Sequence, residues 1–215
     1  MHAAEAPYYK INRVVLKILG LWPYQQSRLV RMQNVLFIAI LTSFIVVQLL
    51  VLVRTQYNAN VLFSVLSFTF PNIFVTIKYC LYVIQANNIR YIFDRIQYDW
   101  NMLKSQEELK IIQKYADNAR LYTIQFFSLA IFFTLAYVVI HCIPIMLDMI
   151  IPMNESRPRS LLFITELFVD QNTHFYTILM YYCLTNYAGC VTIAAIATIL
   201  VAYVLHTCAL FQITR

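Results

Sequence analysis

Four long apolar stretches, separated by shorter polar segments, dominate the sequence. They cover residues 34–53, 61–86, 124–147 and 176–206. A helix needs roughly 20 predominantly apolar residues to cross a hydrocarbon core of about 30 Å. Because backbone polar groups within lipid must hydrogen-bond inside the segment, each stretch is predicted to be a helix. The pattern therefore predicts an all-α polytopic membrane helix bundle with four transmembrane helices.

The composition supports a membrane protein and excludes several other classes. Of the 215 residues, 61% are hydrophobic and 12% are charged, which lies outside the usual range of soluble domains. The net charge of +6 does not indicate nucleic-acid binding, because the basic residues lie between the apolar stretches and form no patch interleaved with aromatic residues. The sequence contains no GxSxG, HExxH, Walker or Rossmann motif, so we expect neither enzymatic activity nor a cofactor. The five cysteines show no CxxC spacing that would predict a zinc site.

The distribution of lysine and arginine predicts the orientation in the membrane. Segments 1–33 and 87–123 hold eleven of these residues, whereas segments 54–60 and 148–175 hold three. Positive residues favour the cytoplasmic side, so we expect a multi-pass membrane protein with a cytoplasmic N-terminus. The sequon at Asn154 falls on the predicted external side, where it would be glycosylated.

Helical patterns also occur outside the four stretches. In the predicted cytoplasmic segment 87–123, apolar residues recur at helical spacing on both sides of Ser105, which begins a capping-box sequence ending at Glu108. A helical hairpin is predicted there, with a solvated loop as the alternative. Within 1–33 we predict an amphipathic helix that ends at Gly20 and lies on the membrane or contacts the protein's own helices. Its apolar stripe comprises Ile11, Val14, Val15, Ile18, Leu19 and Trp22.

Some residues within the apolar stretches are candidates for function. Pro71 interrupts the second stretch and is expected to bend the helix and open space beside it. Lys78 lies in the same stretch and either extends its side chain to the headgroups or faces a functional interior. On the third stretch, Thr134, Tyr137 and His141 share one helical face. Such a mixture of aromatic and polar groups suits a pocket for a small, mostly apolar ligand.

Two short strings resemble insect odorant receptors. KILGLWP, residues 17–23, resembles the segment before their first transmembrane helix. HTCALFQITR, residues 206–215, is similar to the cytoplasmic end of their fourth. The order of short and long loops between these strings is also similar.

The resemblance implies a seven-helix protein of inverted topology. It further implies a subunit of a ligand-gated cation channel that assembles as a hetero-tetramer with a co-receptor and opens when a small volatile organic ligand binds. Under this interpretation the chain is a fragment that lacks the pore helix, and segment 207–215 begins a cytoplasmic connection to the missing half. The implied pocket lies in the external half of the bundle. Residues are assigned to this pocket by their depth in the membrane and by the helical face on which they lie. The candidate lining is Phe74, Lys78, Thr134, Tyr137, His141, Met180 and Leu184.

Other classes remain open alternatives. A gustatory receptor would share the topology, and a self-contained four-span scaffold would share the number of helices. A tetraspanin-like protein is disfavoured because segment 148–175 contains no cysteine. A transporter half is disfavoured because Pro71 is the main helix interruption. A rhodopsin-like receptor would place the N-terminus outside, against the charge distribution.

Overall fold

The computed structural model describes residues 7–25, 27–54, 58–151 and 174–214, and the regular structure in these ranges is helical. This confirms the predicted all-α class. A short 3₁₀ helix, Pro7–Tyr9, leads into the first α-helix. The α-helices are α1 (Lys10–Ile18), α2 (Arg28–Arg54), α3 (Ala59–Ile84), α4 (Ala86–Met102), α5 (Gln106–Ile150) and α6 (Phe175–Ile213). Helices α2, α3, α5 and α6 are each long and apolar enough to cross a membrane.

Each of the four predicted apolar stretches corresponds to a long helix, although the bounds differ. The largest difference concerns stretch 124–147, which forms part of the 45-residue helix α5. At a rise of 1.5 Å per residue, α5 is about 68 Å long, roughly twice the thickness of the hydrocarbon core. Asn154 and most of the predicted external loop lie outside the described residues.

Helix α5 begins with the capping box predicted from the sequence. The Glu107 backbone N–H donates to Ser105 Oγ at 3.3 Å, and the Ser105 backbone N–H donates to Glu108 Oε2 at 3.2 Å. Leu103, which directly follows the end of α4, has an extended backbone. Two helices therefore occupy segment 87–123, as the periodicity predicted, and the side chains of Ser105 and Glu108 each satisfy one backbone donor at the start of the second.

Helix α1 ends at a Schellman motif built on Gly20. The Gly20 N–H donates to the Lys17 carbonyl at 3.2 Å, and the Leu21 N–H donates to the Leu16 carbonyl at 2.8 Å. Gly20 has a positive φ of 71°, which a residue without a Cβ atom adopts at little cost. The predicted end of the amphipathic helix is confirmed.

The buried face of α1 differs from the predicted apolar stripe. Asn12 and Leu16 are its buried residues, whereas Val14 and Ile18 of the stripe are exposed. The Thr198 hydroxyl of α6 donates to Asn12 Oδ1 at 3.2 Å, so the buried amide has a polar partner. Helix α1 thus packs on the protein's own helices through a face that carries a buried polar residue.

The described structure divides into two compact units, and the four long helices contribute a segment to each. The first unit comprises Met1–Ile38, Lys78–Leu129 and Val191–Arg215. The second unit comprises Ala39–Ile77 and Ala130–Cys190.

The core of the first unit joins the 3₁₀ helix to α4, α5 and α6. Tyr9, Ile96, Ala119 and Ala202 form one buried cluster. Burial raises the pKa of Tyr9 to about 12, because the charged phenolate is disfavoured away from water. The alanine side chains leave room for close approach of the helices, as small residues do in membrane bundles.

An ionic cluster links α4 and α6 in the same unit. His206 of α6 is buried, and its Nε2 lies 3.1 Å from Asp99 Oδ2 on α4. The other oxygen of Asp99 lies 3.2 Å from Arg95 Nε, one turn earlier on α4. The carboxylate therefore has partners on both sides, which a mostly buried charge requires.

Aromatic residues form most of the core of the second unit. Phe44 of α2 meets Tyr182 of α6 edge to face, with ring centroids 5.8 Å apart. The neighbouring hydroxyls of Ser43 and Tyr181 lie 2.8 Å apart and share a hydrogen bond. The buried cluster comprises Phe44, Tyr137, Phe175, Ile178, Leu179 and Tyr182.

Candidate ligand cavity

A cavity of about 370 Å³ lies within the second unit, beside its aromatic core. We call it the helix cavity because residues of α2, α3, α5 and α6 line it. Its volume is at the lower end of the range of about 300–1,000 Å³ that is usual for small-molecule sites. The lining consists of Phe44, Phe68, Pro71, Asn72, Phe133, Ala136, Tyr137, Ile140 and Asn186.

Regular helical spacing positions the lining residues of α5. Phe133, Ala136, Tyr137 and Ile140 stand at i, i+3, i+4 and i+7, which is one continuous face of an α-helix. Ala136 has the smallest side chain of the four, so this face is recessed beside the larger neighbouring side chains. The helical period of α5 therefore creates both the wall of the cavity and part of its volume.

Helix α3 contributes a second short face that contains Pro71. Phe68, Pro71 and Asn72 follow one another at helical spacing. Proline lacks the N–H that would otherwise donate to the carbonyl four residues earlier, and its ring requires space in the helix. The Asn72 side-chain amide donates to the Phe68 carbonyl at 2.8 Å. Pro71 thus lines the helix cavity, and the bend expected from it stays a prediction.

The polar groups of the lining are few and separated by apolar surface. Asn72, Tyr137 and Asn186 supply an amide, a phenol and a second amide. Asn186 Oδ1 also accepts a contact from the Cys190 thiol at 3.7 Å. An apolar cavity with a few polar groups can bind a small organic molecule through its hydrocarbon part and orient it through one oxygen atom.

One wall of the helix cavity is firmly packed, and another is open. Phe44 and Tyr137 belong to both the lining and the buried aromatic cluster. By contrast, Phe133 is 57% exposed and Ile140 is 50% exposed, although both line the cavity. The buried side can hold a ligand in a defined orientation, while the exposed side chains form an edge through which a ligand can enter.

The structure brings the predicted α5 residues close to the helix cavity, but only Tyr137 lines it. His141 is buried, and its Nδ1 lies 2.8 Å from the Tyr137 carbonyl oxygen. The rings of these two residues are 4.3 Å apart at their centroids. The Thr134 hydroxyl donates to the Ala130 carbonyl at 2.9 Å. Thr134 and His141 therefore flank the lining face and are hydrogen-bonded within α5.

The other four predicted residues do not form part of this lining. The side chains of Phe74, Met180 and Leu184 are exposed. Lys78 is also exposed and belongs to the first unit. Contact between a ligand and any of the seven predicted residues stays a prediction.

Several lining residues were not in the predicted set, and two of them carry a recognisable signal. Asn72 and Asn186 are amides within apolar helices, where polar side chains are uncommon and often functional. Phe44, Phe68, Phe133, Ala136 and Ile140 carry no such signal, because apolar residues are common on every face of these helices.

Comparison with known proteins adds no relative. No family model matches the chain, and no curated protein matches it.

Proposed function

We propose that this chain is an odorant-receptor subunit that binds a small volatile organic ligand and acts with a co-receptor as a ligand-gated cation channel of the plasma membrane. The helix cavity is the observation that carries the proposal, because it combines a small volume with a mostly apolar lining. The local similarity of residues 17–23 and 206–215 to odorant receptors supports the choice of family.

The chemistry of the lining suggests the ligand class. Phe44, Phe68 and Phe133 offer apolar surface to a hydrocarbon chain or ring. Asn72 and Asn186 offer amide groups that can hydrogen-bond to one carbonyl or hydroxyl group. Ketones, esters and alcohols of low molecular mass combine these two features, and they are volatile because they carry little other polarity.

The binding step can be tested by filling the helix cavity. Ala136→Phe places a phenyl ring in the recess of α5, so we expect the variant to lose binding of 2-heptanone. Leu135→Phe is the matched control, because Leu135 is the adjacent residue and its side chain is exposed. Binding is measured by saturation-transfer NMR on the purified full chain in detergent. Full binding by Ala136→Phe would contradict the proposal.

The receptor function needs a separate measurement. Cells that express the chain together with an odorant-receptor co-receptor, which supplies the pore, should show a cation current when the ligand identified by NMR is applied. The current should be lost with Ala136→Phe and kept with Leu135→Phe. If both variants bind and conduct alike, the helix cavity is not the receptor site.

A further inference from the structure

A second cavity, of about 280 Å³, lies in the first unit. We call it the loop cavity because the loop between α1 and α2 forms one side of it. The start of α2, the end of α3 and the first residue of α4 complete the lining. The residues that carry the following inference are Trp22, Ser27, Arg31, Asn34 and Tyr82.

The hydroxyl of Tyr82 is a buried polar group at the edge of this cavity. The residue is 8% exposed, and its hydroxyl has no hydrogen-bond partner among the described residues. Tyr79, one turn earlier on α3, shows the usual arrangement, since its hydroxyl donates to the Leu19 carbonyl at 2.7 Å. Buried hydroxyls nearly always have a partner. Because Tyr82 lines the loop cavity, an occupant of that cavity is the natural acceptor for its hydrogen bond.

The other polar groups around the loop cavity favour an anion. Arg31 supplies the only formal charge among the described lining residues. The cavity also borders the N-terminal turn of α2, where backbone N–H groups and the helix dipole attract negative charge. Ser27 caps this turn by accepting a hydrogen bond from the Val30 N–H at 3.2 Å. A guanidinium group, a phenol and a helix N-terminus together form a suitable site for a phosphate group.

The surroundings favour a lipid as the source of the phosphate. On the first turns of α2, beside Arg31, Leu29 is 76% exposed and Met32 is 68% exposed. Val35, one turn further, is 67% exposed. Exposed apolar side chains on a membrane-length helix can contact acyl chains. A phospholipid could therefore place its phosphate in the loop cavity and its chains along α2.

We propose that the loop cavity is a binding site for the phosphate group of an anionic phospholipid, held by Arg31 and the Tyr82 hydroxyl at the N-terminus of α2. The site is distinct from the helix cavity, and the inference does not depend on the proposed receptor function. Its expected consequence is that an anionic lipid stabilises the junction of α1, α2 and α3.

Trp22 lines the loop cavity and provides a local reporter. The chain has two tryptophans, so Trp100→Phe leaves Trp22 as the single tryptophan, whose emission can be excited selectively over that of the tyrosines. In detergent, short-chain phosphatidic acid should change the Trp22 emission saturably. The diacylglycerol with the same chains, which lacks phosphate, should bind more than about tenfold more weakly. Inorganic phosphate, which lacks chains, should also bind far more weakly.

Matched variants separate a built site from general surface charge. Arg31→Gln should weaken phosphatidic acid binding by more than about tenfold, whereas Arg28→Gln removes the same charge outside the lining and should change binding by less than about twofold. Tyr82→Phe should weaken binding by about threefold to tenfold, the effect of one hydrogen bond. Because the Tyr82 hydroxyl has no partner among the described residues, Tyr82→Phe should unfold no more readily than the parent protein.

Four outcomes would overturn the proposal. Equal losses with Arg28→Gln and Arg31→Gln would indicate general electrostatic attraction to the lipid. Unchanged binding by Tyr82→Phe would remove the hydroxyl from the site. Equal binding of diacylglycerol would exclude phosphate recognition. Binding of inorganic phosphate as tight as that of phosphatidic acid would assign the site to a soluble phosphate and overturn the lipid assignment.

Discussion

Gly20 affects both the local backbone geometry and the packing of neighbouring helices. Its positive φ ends α1, and a Cβ atom at this position would overlap Asn34 Oδ1 of α2. Asn34 Oδ1 also lies 3.2 Å from the hydroxyl oxygen of Tyr79 of α3. Any side chain at Gly20 would therefore disturb a contact among three helices as well as the Schellman motif.

We expect Gly20→Ala to lower the free energy of unfolding by about 1–3 kcal/mol, because alanine is strained at positive φ and its Cβ would displace Asn34. Thermal unfolding in detergent can be followed with a thiol-reactive dye, since the five cysteines are free thiols. Gly189→Ala is the control. A Cβ at Gly189 would have only ordinary contact, at 4.0 Å from Val75 Cγ1, so alanine should leave stability unchanged or raise it slightly. Equal effects of the two substitutions would contradict this role of Gly20.

Some of these residue roles could be predicted from the sequence, and others could not. Gly20 could be recognised because a glycine directly after a periodic apolar stripe is a common helix end. The lining of the helix cavity could not be identified fully from the sequence. Tyr137 belongs to two overlapping faces of α5, one with Thr134 and one with Phe133, and the sequence does not show which of them lines the cavity. Where every face of a helix is apolar, periodicity does not select the one that contacts its neighbours.

The start of α5 shows how a few polar residues define the beginning of a helix. Substituting Ser105 with alanine removes the side-chain acceptor for the Glu107 N–H, while the backbone N–H at position 105 can still donate to Glu108. We expect Ser105→Ala to destabilise the first turn of α5 by about 1 kcal/mol. Hydrogen exchange measured by mass spectrometry should show faster exchange of the amides at the start of α5.

Ser128→Ala provides the control for the capping variant. Ser128 is an exposed residue in the interior of the same helix. Alanine has the higher helix propensity, so the exchange of amides near residue 128 should be unchanged or slower. An equal increase in exchange at both sites would show that loss of a serine hydroxyl, and not loss of the cap, is responsible.

The existence of a helix was easier to predict from the sequence than which of its faces is buried. The long apolar stretches, the capping box and the glycine each leave a local signal, and the structure contains the helices that they predict. The buried face of α1 leaves no local signal, because it depends on a hydrogen bond between Asn12 and Thr198. These residues are 186 positions apart in the sequence, so a pattern within α1 could not reveal the partner.

The membrane orientation of the protein is a prediction that concerns all four long helices together. Eleven basic residues in segments 1–33 and 87–123 predict that both segments are cytoplasmic. We therefore expect the natural sequon at Asn154 to be glycosylated in a eukaryotic cell. Treatment with a glycosidase should increase electrophoretic mobility, and Asn154→Gln should abolish the shift.

A second sequon tests the opposite side of the membrane. Leu103→Thr creates an acceptor at Asn101, in the last turn of α4. Combined with Asn154→Gln, this substitution should give no glycosylated product, because the acceptor would remain in the cytoplasm. Glycosylation at Asn101 would reverse the predicted orientation.

The hydrogen bond between Asn12 and Thr198 also affects the order of events during synthesis. A ribosome adds about 5–20 residues per second, so the 186 residues that separate the two take roughly 10 to 40 s to translate. During that interval the buried face of α1 lacks its α6 partner. Newly made α1 therefore stays without this partner until α6 is made, and a delay in making α6 would prolong its exposure to degradation.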